Sequence, residues 1–490
     1  MLPISVGLLI FVATFIAAHV FKLQWSRRGY PPGPTPLPII GNLWTMRFEL
    51  RHEFLMQLSK TYGNIFTVWL GQKPAVVVNG CRSIRNALIK HSEELSERAV
   101  PPLFEKLSGG KGVIFTNGHT WKQQRRFGLM TLRNLGLGKK SMDERTQREA
   151  QHLIEFFRMT KGNAIDPATT VTYSVTNVIA AMLFGHRFSS DDKDLHQLIE
   201  ATDYLIKFQG TPWAQLFNAF PWLMQHLPGP LQHFIESDNF LLRFVKREIE
   251  SHKECGISEE PQDLVDFYLS QMSRDTGDAN STFDYENMVR LSIEMFAAGI
   301  ETTSTTLRWA FLHMVTKPDI QEKIQKELDA VLGEEKTIQY EDRKRLPYTN
   351  AVIHEIQRIS NIQSVGSARQ LVKDTSLEGF QLKKGTMILC NLSSALYDPD
   401  YWEKPHQFNP GNFLDKEGNF VTSEAFLPFS AGHRVCLGEL MARTVLFIFF
   451  ASLFRTLTFR LPEGVKEVNM GTILGATLQP HPFEICAISR

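Results

Sequence analysis

The chain has 490 residues, a formal net charge of +1 and 43% hydrophobic residues. This balance gives no reason to expect nucleic acid or another polyanion as a partner, and the length suffices for a large core. We find no internal repeat and no long Gly/Ser-rich linker, so we predict one large domain behind a short N-terminal segment. The five cysteines lack a CxxC pair, which argues against disulfide and zinc frameworks and favours a reducing compartment.

Residues 1–28 predict a membrane anchor. They contain an almost uninterrupted apolar run, Leu2–Phe21, and about 20 apolar residues span a bilayer core of ~30 Å. A cleaved signal peptide carries its positive charges before the apolar run, whereas here Lys22, Arg27 and Arg28 follow it. We therefore predict an uncleaved transmembrane helix with a basic stop-transfer, and the positive-inside rule places the following chain in the cytosol.

Residues 29–42 contain five prolines. Proline fixes φ and resists helix formation, so this segment predicts a stiff, extended spacer. The globular body is then expected over residues 43–490.

The body is predicted to be mainly α-helical with small β-sheets. Its longest helix begins at Asp284, a good N-cap, and runs toward Thr316 before Pro318 ends it. The centre of this helix, 297–306, contains Gly299 and several threonines, which are weak helix formers. We expect either a local widening of the helix or hydroxyl groups bonded to its backbone. Strand-like runs occur at 65–70, 75–79, 386–390 and near the C-terminus.

Cys436 is the most distinctive candidate for chemistry. It follows Arg434 by two residues and precedes a long apolar stretch that predicts a buried helix from about Gly438. Free N–H groups and the dipole at a helix N-terminus lower a thiol pKa, and an axial thiolate donates electron density to haem iron. A zinc site with His433 lacks two further ligands nearby. The alternative for a lone cysteine is a small core hydrophobe.

The pattern Phe429-x-x-Gly432-x-Arg434-x-Cys436-x-Gly438 resembles the haem-binding signature of the cytochrome P-450 (haem-thiolate monooxygenase) family. The likeness extends over the whole chain and is greatest to the vertebrate microsomal branch that oxidises drugs and polyunsaturated fatty acids. The resemblance implies a single large, mainly α fold with small β-sheets and a bound haem b (iron protoporphyrin IX). Cys436 would be the axial ligand of the haem iron, with Phe429 and Arg434 contacting the cofactor.

Two further motifs resemble those of the family. Ala298-Gly299-x-Glu301-Thr302-Thr303 is similar to its oxygen-activation motif, in which Thr302 would hydrogen-bond dioxygen or its water and Glu301 would supply protons. Trp121-x-x-x-Arg125 resembles the motif that binds the haem propionates, together with Arg434 and Arg369. The neighbourhood of Arg369 lacks the prolines usual there.

Glu355-x-x-Arg358 resembles the family's buried ion pair, which supports the cysteine loop. Three residues apart on a helix, the two side chains share one face. The family often adds a third, basic residue, but Asn412 stands at that place here. We therefore expect a hydrogen-bonded version of the triad.

The resemblance also implies partners. The substrate pocket would be largely apolar, with few fixed charges, and would take a lipophilic small molecule; it is expected from 104–115, 208–220, 296–302, 362–366 and 475–478. No nucleotide-binding fingerprint occurs in the sequence, so electrons would come from NADPH-cytochrome reductase, with cytochrome b5 as a further candidate donor. A basic surface would dock the acidic reductase; its candidate residues are Lys122, Arg126, Arg133, Lys139, Lys140 and Arg443.

The expected location is the endoplasmic reticulum membrane with the catalytic domain facing the cytosol. Membrane lipid is then also a partner, and Phe217, Phe220, Trp222, Leu223 and Met224 either dip into it or pack in the core.

Three functions compete for this set of motifs. The first is a membrane-bound monooxygenase that hydroxylates or epoxidises polyunsaturated fatty acids, steroids or xenobiotics. The second is a haem-thiolate isomerase or dehydratase that rearranges lipid peroxides without O₂ or reductase. The third is a non-catalytic haem or lipid binder. The Glu301–Thr302 pair favours the first, because a peroxide rearrangement needs no proton relay.

Overall fold

The computed structural model describes residues 2–136, 140–254, 256, 260–333 and 337–490. The α-helices of these residues, in chain order, are α1 Leu2–Arg27, α2 His52–Tyr62, α3 Cys81–Arg85, α4 Pro102–Ser108, α5 Gly118–Asn134, α6 Lys140–Met159, α7 Ala168–Leu183, α8 Lys193–Gln209, α9 Pro212–Ala219, α10 Pro221–Met224, α11 Leu231–Glu254, α12 Leu264–Arg274, α13 Tyr285–Val315, α14 Pro318–Leu332, α15 Pro347–Ser360, α16 Leu392–Leu396 and α17 Glu439–Thr456. A π-helical turn, Asn86–Lys90, continues α3, and 3₁₀ turns lie at Tyr340–Lys344, Pro410–Phe413 and Gly432–Arg434.

The strands are short and form small sheets, as predicted. They are β1 Ile65–Leu70, β2 Lys73–Val78, β3 Glu97–Arg98, β4 Arg369–Gln370, β5 Thr375–Leu377, β6 Phe380–Leu382, β7 Met387–Cys390, β8 Leu457–Arg460, β9 Thr472–Leu474, β10 Leu478–Pro480 and β11 Cys486–Ser489. The largest sheet has the order β1-β2-β7-β4-β3, in which β2 and β7 are parallel and the other neighbours are antiparallel. The pairs β9/β10, β8/β11 and β5/β6 form separate two-stranded sheets.

Helix α13 confirms the predicted long helix. The Asp284 carboxylate caps it by accepting the Asn287 N–H at 2.8 Å, and the helix runs through Val315. Of the two expectations for its centre, the hydroxyl bonds are correct: the Thr302 hydroxyl donates to the Ala298 carbonyl at 2.8 Å, and the α-helix continues without widening. These bonds satisfy the hydroxyls inside a largely buried helix.

Helix α17 confirms the buried helix predicted after the cysteine loop. Most of its side chains are buried on all sides, including Phe447, Phe449 and Phe450. It packs against α6, α13 and α14 in the main core. Its first residue, Glu439, thereby fixes where the preceding loop can lie.

The N-terminal region matches the prediction in part. A helix, α1, forms over most of the predicted anchor, but among the described residues no helix is long and apolar enough to cross a membrane. The anchor over residues 1–28 is therefore not confirmed. The proline segment is extended only in part: residues 31–36 contain no helix, strand or turn, but Leu37 and Gly41 exchange backbone hydrogen bonds across a turn. The segment is tied to the body, because the Thr67 N–H of β1 donates to the Pro32 carbonyl at 2.9 Å.

Candidate active site

The loop that carries Cys436 is fixed by backbone geometry. The Cys436 N–H donates to the Phe429 carbonyl at 3.1 Å, and this bond closes the loop just before α17. Gly432 has φ +73°, and a Cβ there would collide with the Leu88 carbonyl. Glycine is therefore required at position 432 for both its backbone conformation and its close packing.

The prediction of a lowered thiol pKa at Cys436 is wrong for the protein without its cofactor. Desolvation by the surrounding protein raises the pKa, although the Gly438 N–H, Arg125 and Arg98 act in the opposite direction. The side chain of Cys436 is nevertheless exposed. A metal cation bound to the sulfur would supply the charge that makes the thiolate stable.

Four arginines converge beside this loop: Arg98, Arg125, Arg369 and Arg434. Each donates to backbone carbonyls, such as Arg125 Nη2 to Val435 O at 2.8 Å and Arg434 Nη2 to Thr116 O at 2.7 Å. Arg98 Nη1 donates to Ser367 O at 3.0 Å. Within the described part of the chain, none of the four forms an ion pair with a carboxylate.

The positive charge of this arginine cluster is uncompensated. Desolvation, reinforced by repulsion from neighbouring arginines, lowers the pKa of Arg434 to about 9 and that of Arg369 to about 10. Arg369 Nη1 and Arg434 Nη1 are buried without a hydrogen-bond partner among the described residues. Buried cations of this kind require an anion, and guanidinium groups match carboxylates in geometry. The donor set therefore fits the two propionates of a haem.

Trp121 completes the cluster. Its buried ring lies 3.8 Å from Arg434 Cζ, with Arg125 Cζ at 6.0 Å from the ring centroid. The structure thus brings together all four residues predicted to meet the propionates, including Arg369 despite its atypical neighbourhood. Arg98 was missed by the sequence reasoning because only the β3–β4 pairing places it there, and no local pattern signals that pairing.

A cavity of about 480 Å³ lies against the centre of α13. Thr302 and Glu301 both line it, and each of the five predicted pocket segments contributes residues to its wall. Its lining is mostly apolar, as predicted for a lipophilic ligand.

Glu301 is held more firmly than the sequence suggests. Its Oε1 accepts hydrogen bonds from Thr477 Oγ1 at 2.6 Å, Gln479 Nε2 at 2.8 Å and Thr305 Oγ1 at 3.0 Å. The Thr302 hydroxyl bonds to the helix backbone and not to Glu301. The two residues predicted to handle protons thus share a cavity without contacting each other through a hydrogen bond.

The cavity wall also carries charges that the sequence reasoning did not expect. Arg290 Nη1 forms a buried ion pair with Asp238 Oδ1 at 3.0 Å. Glu294 Oε2 accepts the N–H groups of Val113 and Ile114 at 2.6 and 2.9 Å, which ties α13 to the loop after α4. Burial raises the pKa of Glu294 to about 7.

The predicted Glu355–Arg358 pair is present and fully buried. Arg358 Nε and Nη2 each donate to a Glu355 oxygen at 2.7 Å. Asn412 Nδ2 donates to Glu355 Oε2 at 3.2 Å, which is the hydrogen-bonded triad that was expected. The direct contacts of Arg358 are with the carbonyls of Leu396, Pro405 and Gln407, so the pair fixes the segment 396–412 and not the cysteine loop itself.

Arg443, on α17, connects helix α15 to the cysteine loop. Arg443 Nη1 donates to His354 Nε2 at 2.7 Å, and its Cζ lies 5.0 Å from the centroid of the Phe429 ring. It also pairs with Glu439 and is only 21% exposed. The prediction that Arg443 offers a free docking charge is therefore wrong, because its charge is used internally.

Four of the other predicted docking residues are exposed. Lys122, Arg126, Arg133 and Lys140 are exposed along α5 and the start of α6. Lys139 lies outside the described residues.

The residues considered for lipid contact divide into two groups. Phe217, Phe220 and Met224 are buried in the core, whereas Trp222 is 67% exposed and Leu223 is also exposed.

Comparisons with known proteins identify the family of this chain. The family model "Cytochrome P450" matches residues 31–487. Cytochrome P450 2J2 of Homo sapiens is 42% identical over 483 residues, which cover 99% of this chain and 96% of that protein. Cytochrome P450 2J5 of Mus musculus is 40% identical over 483 residues, with the same coverage of both chains. Cytochrome P450 2C39 of Mus musculus is 37% identical over 485 residues and 99% of both chains.

The match of the family model over nearly the whole chain, together with relatives at about 40% identity, agrees with the mainly α fold. The chain belongs to the cytochrome P450 family of haem-thiolate monooxygenases, which bind haem b.

Proposed function

We propose that this protein inserts one oxygen atom from O₂ into lipophilic substrates, using electrons that NADPH-cytochrome reductase supplies. The observation that carries the proposal is the cluster of four arginines without carboxylate partners among the described residues, two of them buried, beside an exposed cysteine. That arrangement suits a group that is anionic at its edge and binds sulfur at its centre.

Individual residues have defined roles in this proposal. Cys436 would ligate the haem iron through Sγ, and Arg125, Arg369, Arg434 and Trp121 would hold the propionates. Phe429 would contact the haem beside the cysteine loop, and Arg443 packs on the Phe429 ring. When bound, the haem supplies the activation of dioxygen.

Protons are handled at the centre of α13, where Thr302 and Glu301 line the cavity. The Thr302 hydroxyl faces the cavity and orients water there, while its own proton is donated to Ala298 O. Glu301 exchanges protons with that water through its carboxyl group. Apolar residues such as Phe104 and Ile114 line the remaining wall and exclude bulk water from the reacting bond.

The cavity supports polyunsaturated fatty acids, steroids or xenobiotics as substrates. It is large enough for a drug-sized ligand and mostly apolar. The exposed Trp222 and Leu223 give a contact point for lipid, consistent with residence on the endoplasmic reticulum membrane with the catalytic body in the cytosol.

The reductase would dock on the exposed basic side chains of α5. Lys122, Arg126 and Arg133 are free of ion pairs within the described part of the chain, and an acidic partner would be steered toward them. Cytochrome b5 is a second candidate donor for the same surface.

Turnover dependence tests this function. Purified protein with a lipophilic substrate should consume NADPH and O₂ only when reductase is present, and product should form in proportion. Conversion of a lipid hydroperoxide without reductase and without O₂, and no oxidation of other substrates with them, would show an isomerase or dehydratase instead.

A further inference from the structure

We propose that Thr477 and Gln479 are positioning residues for the Glu301 carboxylate, and that this clamp sets how efficiently protons are delivered beside Thr302. The inference rests on the proposed monooxygenase function. It concerns side chains of the C-terminal β9–β10 hairpin that donate to a residue on α13.

The clamp acts on one oxygen of Glu301. Thr477 Oγ1 donates at 2.6 Å and Gln479 Nε2 at 2.8 Å, both to Oε1, and all three side chains are buried. Thr305 Oγ1, one helical turn along α13, donates to the same atom at 3.0 Å. Three donors from two elements fix both the position and the rotation of the carboxylate.

The second oxygen of Glu301 is left for chemistry. Within the described part of the chain, Oε2 has no hydrogen-bond partner, and Glu301 lines the same cavity as Thr302. With Oε1 held, Oε2 is the atom that exchanges a proton with cavity water. The carboxyl gives that proton to water beside Thr302 and regains one from solvent through the cavity, so the residue is unchanged after each cycle.

Gln479 also links the clamp to α8. Its Nε2 donates to Asp203 Oδ1 at 3.3 Å, and Asp203 in turn accepts from Lys207 Nζ at 2.6 Å. One amide nitrogen thus lies between two carboxylates, Glu301 and Asp203, and holds them at a fixed separation.

The hairpin is itself rigidly placed. Leu478 N–H donates to Ile362 O at 2.8 Å, and Trp309 Nε1 donates to Leu478 O at 2.9 Å. Ala476 N–H donates to Ile206 O at 2.9 Å. Bonds to three other parts of the chain leave the donors at 477 and 479 little freedom to follow Glu301 if it rotates, which is what a positioning element requires.

Two near-isosteric substitutions test the clamp, Thr477→Val and Gln479→Met, alone and together. Thr472→Val in the same hairpin is the matched control, because Thr472 makes no hydrogen bond to Glu301. The first readout is the C–O stretching band of the reduced carbon-monoxide complex, which responds to nearby polar groups without turnover. The second is product formed per NADPH consumed.

We expect both substitutions, but not Thr472→Val, to shift the C–O band. We also expect each to lower product per NADPH by about threefold to tenfold, since each removes one buried donor. In a Glu301→Gln background, Gln479→Met and Thr477→Val should add little to either readout. Unchanged reduced carbon-monoxide spectra in the Soret region will show that the variants are folded.

An unshifted C–O band in the double variant would overturn the clamp, whether or not the protein turns over. The same conclusion follows if the effects are fully additive in the Glu301→Gln background, because the hairpin would then act independently of Glu301. A wild-type protein that oxidises no substrate with reductase would contradict the proposed function alone. The C–O stretching bands of the variants would still show whether Thr477 and Gln479 position Glu301.

Discussion

Arg98 and Arg369 lie directly opposite each other in the antiparallel β3–β4 pair, two like charges placed side by side beneath the cysteine loop. Desolvation, reinforced by repulsion from Arg369 and Arg434, lowers the pKa of Arg98. Like charges directly opposite each other destabilise a sheet, so this arrangement costs free energy unless an anion binds. We therefore expect binding of the anionic edge of the cofactor to stabilise the arginine cluster.

Replacing Arg98 should leave the haem-free protein as stable or make it more stable, but should weaken haem binding. In Arg98→Met we expect the melting temperature of the haem-free form to be unchanged or raised, because one of several neighbouring like charges is removed. Haem should dissociate about tenfold faster, as one charge-assisted interaction is lost. Haem transfer to apomyoglobin measures the rate, and the exposed Arg82→Met is the control. A haem-free form that loses stability, with haem retention unaltered, would contradict the assignment.

Cys436→Ala should abolish the red-shifted Soret band of the reduced carbon-monoxide complex, because that band requires an axial thiolate. The half-buried Cys486→Ala lies on β11 and should leave the spectrum as in the wild type. Difference spectroscopy on dithionite-reduced protein distinguishes the two. A normal thiolate spectrum in Cys436→Ala would mean that another residue is the ligand.

The Glu355–Arg358 pair should be critical for stability. Removing one partner from a fully buried pair leaves an uncompensated charge, so Glu355→Gln and Arg358→Met should each lower the free energy of unfolding by ~3–5 kcal/mol. Asn412→Ala removes only one hydrogen bond of 3.2 Å and should cost about 1 kcal/mol. Urea unfolding of the three variants provides the comparison. Equal effects of Asn412→Ala and Glu355→Gln would show that the ion pair is not the dominant interaction.

Glu294 should make stability depend on pH. Its pKa rises from 4.5 to about 7 on folding because it is buried, so the folded state binds more protons than the unfolded state between these values. Stability is therefore greatest below the unfolded pKa and falls as the pH rises through about 7, by an amount on the order of 3 kcal/mol.

The variant Glu294→Gln isolates this contribution. The difference in unfolding free energy between wild type and Glu294→Gln should change across pH 4.5 to 7 in the direction just given. Arg290, which lies on the same helix, opposes the shift and remains in both proteins. A difference that is constant with pH would contradict the raised pKa.

The sequence predicts the parts of this site that depend on local pattern. The N-cap Asp284, the strand Ile65–Leu70 and the helix after Gly438 all follow from propensity and periodicity, and the structure contains each of them. The four residues predicted to bind the propionates also lie together, as the resemblance to the family implies.

What the sequence does not predict is pairing between distant segments. Arg98 reaches the cluster only through the β3–β4 register, and Gln479 reaches Glu301 only through the C-terminal hairpin. Arg290 and Glu294 lie on a helix that is buried on most sides, where periodicity cannot show which residues face a cavity. The prediction of a lowered thiol pKa for Cys436 is wrong because, when no metal is bound, desolvation raises the pKa more than the Gly438 N–H at the start of the helix lowers it.

The measurement that most directly tests the proposed function is incorporation of ¹⁸O from ¹⁸O₂ into product, with reductase, NADPH and a lipophilic substrate such as a polyunsaturated fatty acid. A monooxygenase places one ¹⁸O atom in each product molecule, and omission of NADPH abolishes the reaction. Product that forms without NADPH, with both oxygen atoms derived from a supplied hydroperoxide, would contradict the proposal.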